Sequence, residues 1–188
     1  MWLDDSVINA YGHLVQQDNP DVMFLSTFVH VRLSTILPNQ TDNQRLEAAF
    51  RDCQSRDILE PRVVFVPINV NNNHWILSVI DNKAATIAVY DSAGGSHRDV
   101  AFRIRDLAVF VSGKFSRQQF VDVNRYKIMS KMPSIPRQTN GNDCGMFCLI
   151  YADCLARGVR LTFSQADMAA YRRRVLMELL TGALVPRQ

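Results

Sequence analysis

The sequence lacks a long hydrophobic run and a paired-cysteine motif. No apolar stretch approaches membrane-spanning length, and none precedes a cleavage site near the N-terminus, so neither a membrane protein nor a secretory leader is expected. The four cysteines form no CxxC pair and no disulfide framework. They are Cys53, Cys144, Cys148 and Cys154. We therefore expect a reducing compartment, the nucleus or the cytoplasm.

Concentrated charge is also scarce. The net charge is +3 over 188 residues, and Arg172, Arg173 and Arg174 form the only tight basic run. Because this run falls in a helical pattern, a solvated helix face is the first interpretation and an acidic partner the second. No basic stretch is interleaved with stacking aromatics, so nucleic-acid binding is not expected.

What is present is typical of one globular domain over residues 1–188. The chain is 47% hydrophobic and 21% charged, and it has no internal repeat or low-complexity segment. We expect a monomer without metal or cofactor. The closing residues 184–188 resemble a protease-tag remnant and are given no functional weight.

Hydrophobic periodicity predicts an α+β fold with a small, mainly antiparallel central sheet flanked by helices. Helical spacing marks residues 3–18, 42–53, 98–115, 143–156 and a last segment from Ser164 onward, where Ser164 and Asp167 resemble a capping box. Short β-branched runs predict a strand meander at 63–68, 74–80 and 86–90, and a further strand at 120–129. His30 is assigned to a short extended run.

Cys144 lies where the glycine- and asparagine-rich segment 139–143 turns into a predicted helix. A thiol at a helix N-terminus feels the positive end of the dipole, which favours the reactive thiolate. Free backbone N–H groups at the same place can hold a developing oxyanion, and Gln138 can supply a side-chain donor. A buried structural thiol is the alternative for this cysteine. A zinc site with Cys148 and Cys154 is not expected, because Cys144 and Cys154 are far apart along one helix.

A nucleophilic cysteine also needs a base and a group that orients the base. Of the four histidines, His74 alone stands at the start of a buried-looking strand, whereas His97 follows a glycine pair in a turn. The next strand ends at Asp91. If the two strands pair as a hairpin, His74 and Asp91 lie near the same sheet edge, as general base and orienting carboxylate.

Four segments together resemble the catalytic domain of the SUMO-specific (sentrin-specific, Ulp-type) ubiquitin-like cysteine proteases. They are WLDDSVIN (2–9), HW (74–75), YDS (90–92) and NGNDCGMF (140–147). The order His, Asp, Gln, Cys along the chain also matches that family. The resemblance extends into the final helix and so covers nearly the whole chain. One departure is Arg137, which stands where a second glutamine is typical.

The resemblance implies a cysteine-protease fold, with the nucleophile at a helix N-terminus, that cleaves after the Gly-Gly tail of SUMO. The implied partners are SUMO and SUMO-conjugated proteins. In that family the residues matching His74, Asp91 and Cys144 are base, orienting acid and nucleophile, and the one matching Gln138 helps form the oxyanion hole. The matches of Trp2 and Trp75 roof a narrow tunnel, and those of Asp5 and Phe28 belong to the modifier-binding surface.

Simpler interpretations stand beside several of these roles. Trp2 can staple the first helix to the core, Trp75 can be a core residue, Asp5 can complement a helix dipole, and Gln138 can brace a loop. At the level of function, the alternatives are a protease for NEDD8 or ubiquitin, an acyltransferase on a related scaffold, and a catalytically silent modifier-binding module.

Overall fold

A five-stranded sheet lies at the centre of the fold. The computed structural model describes residues 2–35, 40–53, 56–115 and 121–186. The strands are β1 (Val22–Phe24), β2 (Val63–Val70), β3 (His74–Asp81), β4 (Thr86–Tyr90) and β5 (Lys127–Met129), and they lie side by side in that order. The predicted meander is β2–β3–β4, whose pairings are antiparallel. The short outer strands β1 and β5 pair in parallel with β2 and β4.

The hairpin between β2 and β3 is turned by three asparagines, 71–73. Asn71 and Asn72 have φ values of 53° and 55°. Asparagine tolerates this left-handed region better than most residues, because its side chain can bond locally. The turn therefore sets the first residue of β3, His74, at one end of the central strand.

Six α-helices surround the sheet in the described part of the chain. They are α1 (Asp5–Asp18), α2 (Phe28–Ser34), α3 (Asp42–Asp52), α4 (Arg98–Lys114), α5 (Cys144–Ala156) and α6 (Met168–Thr181). The Asp4 carboxylate caps α1 by accepting a 3.0 Å hydrogen bond from Val7 N–H. The predicted capping box of Ser164 and Asp167 is confirmed, although it opens a short 3-10 turn that leads into α6.

Two segments differ from the prediction. His30 lies in α2, not in an extended run, because the chain leaves β1 at Phe24 and Asn9 of α1 exchanges two 3.0 Å hydrogen bonds with Thr27. Of the strand predicted at 120–129, the described residues form a strand only at Lys127–Met129. The Asp122 carboxylate caps a 3-10 turn at Val123–Arg125 just before it. Phe120 lies outside the described residues.

The sheet is covered on both faces, which gives an α/β/α sandwich. Along β3, Trp75, Leu77 and Val79 belong to the core shared with α1, α5 and α6. The alternate residues Ile76 and Ile80 belong to the core shared with α2, α3 and α4. This alternation follows from the two-residue period of a strand. The predicted α+β class is confirmed. In the part of the chain described, no helix is both long and apolar enough to cross a bilayer.

Candidate active site

The antiparallel pairing of β3 and β4 brings His74 and Asp91 together. The last pair of this ladder is Leu77 with Tyr90, so Asp91 leaves β4 beside the first residues of β3. His74 Nε2 lies 2.6 Å from Asp91 Oδ1. The predicted sheet-edge meeting of the two side chains is therefore observed. With Nε2 held by the carboxylate, the other ring nitrogen, Nδ1, is left for a second partner.

That second partner is Cys144, the first residue of α5. Helix α5 packs on β3, where Cys148 Sγ lies 3.6 Å from the carbonyl oxygen of Ile76. One turn earlier in the helix, Cys144 lies close enough to His74 and to the backbone of Trp75 and Gly145 for all three to lower the pKa of its thiol. The cysteine is only 2% exposed and belongs to the buried cluster that α1, α5 and the sheet share.

The electrostatics favour a thiolate–imidazolium pair. The hydrogen bond to Asp91, followed by that to Cys144, raises the pKa of His74 to about 9. Burial acts to raise the pKa of the Cys144 thiol, but the hydrogen bond with His74 and the two backbone donors outweigh it and lower that pKa. Both shifts favour the same proton distribution, with the proton on the ring and the charge on sulfur.

Asp91 is held by donors on both of its oxygens. Oδ1 accepts from His74 and from Ala93 N–H at 2.8 Å, and Oδ2 accepts from Gly95 N–H at 2.7 Å and faces His97 Nε2 at 2.9 Å. Burial alone would raise the pKa of this carboxyl, which is 3% exposed. The hydrogen bonds from His74, His97 and Ala93 reverse that effect and hold the pKa of Asp91 well below its usual range. Asp91 is therefore ionised at neutral pH.

Gln138 reaches the same loop but is bonded within it. Ser92 Oγ donates to Gln138 Oε1 at 2.6 Å, and Gln138 Nε2 donates to the carbonyl oxygen of Asn140 at 2.6 Å. These contacts are those of a loop-bracing amide. Since Nε2 carries two hydrogens, one N–H remains for an oxyanion, and that role for Gln138 stays a prediction.

Asp143, the residue before Cys144, accepts hydrogen bonds from three side chains. Its Oδ2 accepts from Asn140 at 2.6 Å and from Gln165 at 2.7 Å, and its Oδ1 accepts from two nitrogens of Arg172 at 2.9 and 2.5 Å. The arginine run of α6 is thus not the solvated face that the sequence suggested, because Arg172 pairs with Asp143 and Arg174 with the buried Glu178. Arg173 is the exposed member of the run.

A small aromatic and aliphatic roof covers the thiol side of α5. Trp75 is buried and its Nε1 donates to the carbonyl oxygen of Leu3 at 2.9 Å. A Cβ at Gly145 would lie 3.1 Å from Leu3 and 3.2 Å from Trp75, so only glycine fits here without displacing them. Trp2, directly before Leu3, is 47% exposed. Asp5 occupies the first turn of α1. Contact of Trp2 or Asp5 with a modifier stays a prediction.

Sequence reasoning missed two participants in this site. His97 was set aside as a turn residue, although its turn curls back onto Asp91. Arg137 was noted only as a departure from the family pattern. Its guanidinium donates to the backbone carbonyls of Asp91, at 2.6 Å, and Met132, at 3.3 Å. The glycine pair at 94–95 lets the chain double back, and it could have indicated that His97 returns to Asp91.

Comparison with known proteins identifies the lineage of this arrangement. The model of the Ulp1 protease family, C-terminal catalytic domain, matches residues 1–183. This chain belongs to the Ulp1 protease family. Sentrin-specific protease 5 of Mus musculus is 31% identical over 179 residues, an alignment that covers 95% of this chain and 22% of that protein. This chain thus spans about a fifth of the length of that relative.

Solved structures of Ulp1-type domains share the fold. The Ulp1-like SUMO protease catalytic domain of Chaetomium thermophilum is 27% identical with a TM-score of 0.77, covering 98% of this chain and 74% of that one. The C-terminal Ulp1 protease domain in complex with SMT3, the yeast ortholog of SUMO, is 23% identical with a TM-score of 0.76, covering 96% and 77%. The predicted cysteine-protease fold, with Cys144 at a helix N-terminus, is confirmed.

The described part of this Ulp1-type domain contains no cluster of metal-binding side chains. Across residues 2–35, 40–53, 56–115 and 121–186, no group of three or more histidine, cysteine, aspartate and glutamate side chains is placed to hold a metal ion. At the site itself, the pKa shifts favour an ionised sulfur beside a charged imidazole, at the start of a helix. These are the parts that acyl transfer to a thiol needs.

Proposed function

We propose that this chain is the catalytic domain of a SUMO-specific cysteine protease, which cleaves after the Gly-Gly tail of SUMO. It would release SUMO from lysine side chains and trim SUMO precursors. One observation carries the proposal: His74 Nε2 lies 2.6 Å from the buried carboxylate of Asp91, and the same ring lowers the pKa of Cys144 at the start of α5. The names of the relatives, sentrin-specific and SUMO proteases, support the modifier.

The reaction begins with attack of the Cys144 thiolate on the carbonyl carbon of the last glycine. The resulting oxyanion lies at the N-terminus of α5, where backbone N–H groups of the first helical turn and the remaining N–H of Gln138 can stabilise it. The His74 imidazolium then gives its proton to the leaving lysine amine, and a thioester forms. Water, deprotonated by His74, hydrolyses the thioester and restores the thiolate.

The burial of the thiol supports a slender substrate. Cys144 is almost inaccessible, and Trp75, Leu3 and Gly145 pack tightly on the thiol side of α5. A chain of two glycines has no side chains to collide with such a roof, and it can thread where other residues cannot. We propose that Trp2 and Trp75 line this passage and that Asp5 and the half-exposed Phe28 contact the body of the modifier.

We base the proposed cellular compartment on the oxidation state of the cysteines. All four cysteines are free, and burial raises the pKa of Cys53 to about 12, so this thiol is unreactive at neutral pH. Free thiols suit a reducing compartment, the nucleus or the cytoplasm. We propose a monomer, since the catalytic groups all come from one chain.

The test compares three modifier tails as substrates and two cysteine variants of the protein. Fluorogenic C-terminal amides of SUMO, NEDD8 and ubiquitin are offered to the wild type, to Cys144→Ala and to the matched control Cys53→Ala. We expect cleavage of the SUMO tail, a loss on the order of a thousandfold or more in Cys144→Ala, and retained activity in the control. SUMO binding by Cys144→Ala should persist.

Each other outcome has a definite meaning. Preference for the NEDD8 or ubiquitin tail would change the modifier and keep the protease. Turnover retained in Cys144→Ala would refute the nucleophile. A tail carrying a C-terminal electrophile should label Cys144 alone; if it binds without labelling, the domain is a modifier-binding module and not an enzyme.

A further inference from the structure

A second histidine lies against the orienting carboxylate of the proposed site. His97 Nε2 is 2.9 Å from Asp91 Oδ2, on the opposite oxygen from His74. Both side chains are sheltered, with Asp91 3% and His97 16% exposed. Because Asp91 is ionised and can only accept, His97 Nε2 must carry the hydrogen of this contact.

The backbone between the two residues is shaped to deliver that imidazole. Gly94 adopts a φ of 88°, a region that favours glycine, and its N–H donates to the Asp91 carbonyl at 3.0 Å. A Cβ at Gly95 would lie 2.5 Å from Asp91 Oδ2 and 2.8 Å from His97 Nε2, so this position has no room for a side chain. His97 is fixed at its other end, where its N–H donates to the Ser130 carbonyl at 2.9 Å.

We infer that His97 is a positioning residue that locks the Asp91 carboxylate, so that Oδ1 stays directed at His74 throughout the reaction. This inference rests on the proposed protease function. Without His97, Oδ2 would keep only the bond from Gly95 N–H, so fewer donors would oppose rotation of the carboxylate about its Cβ–Cγ bond. His97 and Gly95 together occupy Oδ2.

The consequence is felt at His74 and through it at Cys144. Orientation of the ring depends on a short bond from Nε2 to Oδ1, which presents Nδ1 to the sulfur. If Oδ1 drifts, the ring tilts, and proton transfer between sulfur, ring and leaving amine slows. His97 itself touches neither Cys144 nor, in the proposed mechanism, the glycine tail, so its loss should lower kcat and leave KM unchanged.

The experiment pairs His97→Ala with the conservative variant His97→Gln, whose terminal amide can place an N–H near the position of Nε2. His13→Ala, at an exposed position on α1, is the matched control. With a fluorogenic SUMO tail, we expect kcat to fall roughly tenfold in His97→Ala, the factor expected for one hydrogen bond to a charged group. Recovery to within about threefold is expected in His97→Gln.

A spectroscopic measurement separates positioning from general stability. In ¹⁵N-histidine-labelled protein, the low-field proton of His74 Nε2 reports its bond to Asp91. We expect this signal to broaden or move upfield in His97→Ala and to stay in His97→Gln and His13→Ala. Unchanged kcat and an unchanged His74 signal in a folded His97→Ala protein would overturn the inference.

The wild-type protein supplies a test that needs no variant and no substrate. Neutral His97 must be the tautomer with hydrogen on Nε2, which two-bond ¹⁵N–¹H correlations detect. An Nδ1–H tautomer would overturn the inference even if His97→Ala failed to fold. A wild type that is inactive on every modifier tail would refute the proposed function, a result distinct from either of these.

Discussion

The charge of Asp91 should set the alkaline limit of activity, and Asp91→Asn is the perturbation that tests it. The rise in the pKa of His74 from 6.5 to about 9 corresponds to roughly 3 kcal/mol in favour of the imidazolium. The hydrogen bond to Asp91 is the largest cause, so we assign about 2 kcal/mol to it. This predicts a fall of roughly 30-fold in kcat/KM for Asp91→Asn at neutral pH.

The sign of the pH effect follows from the direction of the shift. In the wild type the imidazolium persists up to pH about 9 and is lost above it, so activity should decline there. Without the carboxylate, the pKa of His74 returns toward its ordinary value, and the alkaline limb should move down by more than one pH unit, to roughly 7–8. Thiolate formation beside a less stable imidazolium also becomes harder.

The assay is the pH profile of kcat/KM on a fluorogenic SUMO tail, measured from about pH 5 to pH 10. Asp99→Asn, at an exposed acid in the first turn of α4, is the matched control and should leave the profile in place. Circular dichroism must show that Asp91→Asn is folded, because its amide nitrogen would face backbone donors. An alkaline limb that stays near pH 9 in the folded variant would refute the assignment of Asp91.

Two further predictions concern contacts made by the outer helices. Arg172→Met should lower kcat roughly tenfold, because it removes the guanidinium that holds Asp143 beside Cys144, the proposed nucleophile. The same change at the exposed neighbour, Arg173→Met, should leave kcat at the wild-type value. Equal effects of the two variants in steady-state assays would contradict this role. Tyr11→Phe should destabilise the fold by about 2 kcal/mol, because buried Glu178 loses the 2.8 Å bond from the Tyr11 hydroxyl. Thermal unfolding should show a melting temperature lower by about 5 °C, and an unchanged value would contradict the argument.

The sequence was informative wherever a local pattern determined the geometry. The antiparallel relation of β3 and β4 follows from two β-branched runs joined by a short turn, and it places His74 beside Asp91. The helix start at Cys144 follows from a glycine- and asparagine-rich loop that leads into an apolar period of 3.6. Both relations involve neighbours in the chain or one simple pairing rule.

The remaining features depend on segments that are distant along the chain. The parallel pairing of β1 with β2 joins residues about forty positions apart, and three residues are too few to show strand periodicity. Arg172 looked like a solvated charge, because nothing near it in sequence announces Asp143 as its partner. His97 was missed for a related reason. Its contact with Asp91 depends on how the glycine turn at 94–95 folds back, and the spacing of residues along the chain does not reveal that geometry.

Because of the hydrogen bonds around Asp143, α6 must be kept with the rest of the domain when the domain is truncated, fused or grafted. Cys144 is the last residue along the chain that would take part in the chemistry. The carboxylate of its neighbour Asp143, however, is paired with Arg172 of α6, a helix near the end of the chain. A shortened gene product ending after α5 would retain every reacting group and leave a buried anion without its counterion. The practical boundary of this protease domain therefore lies beyond α6.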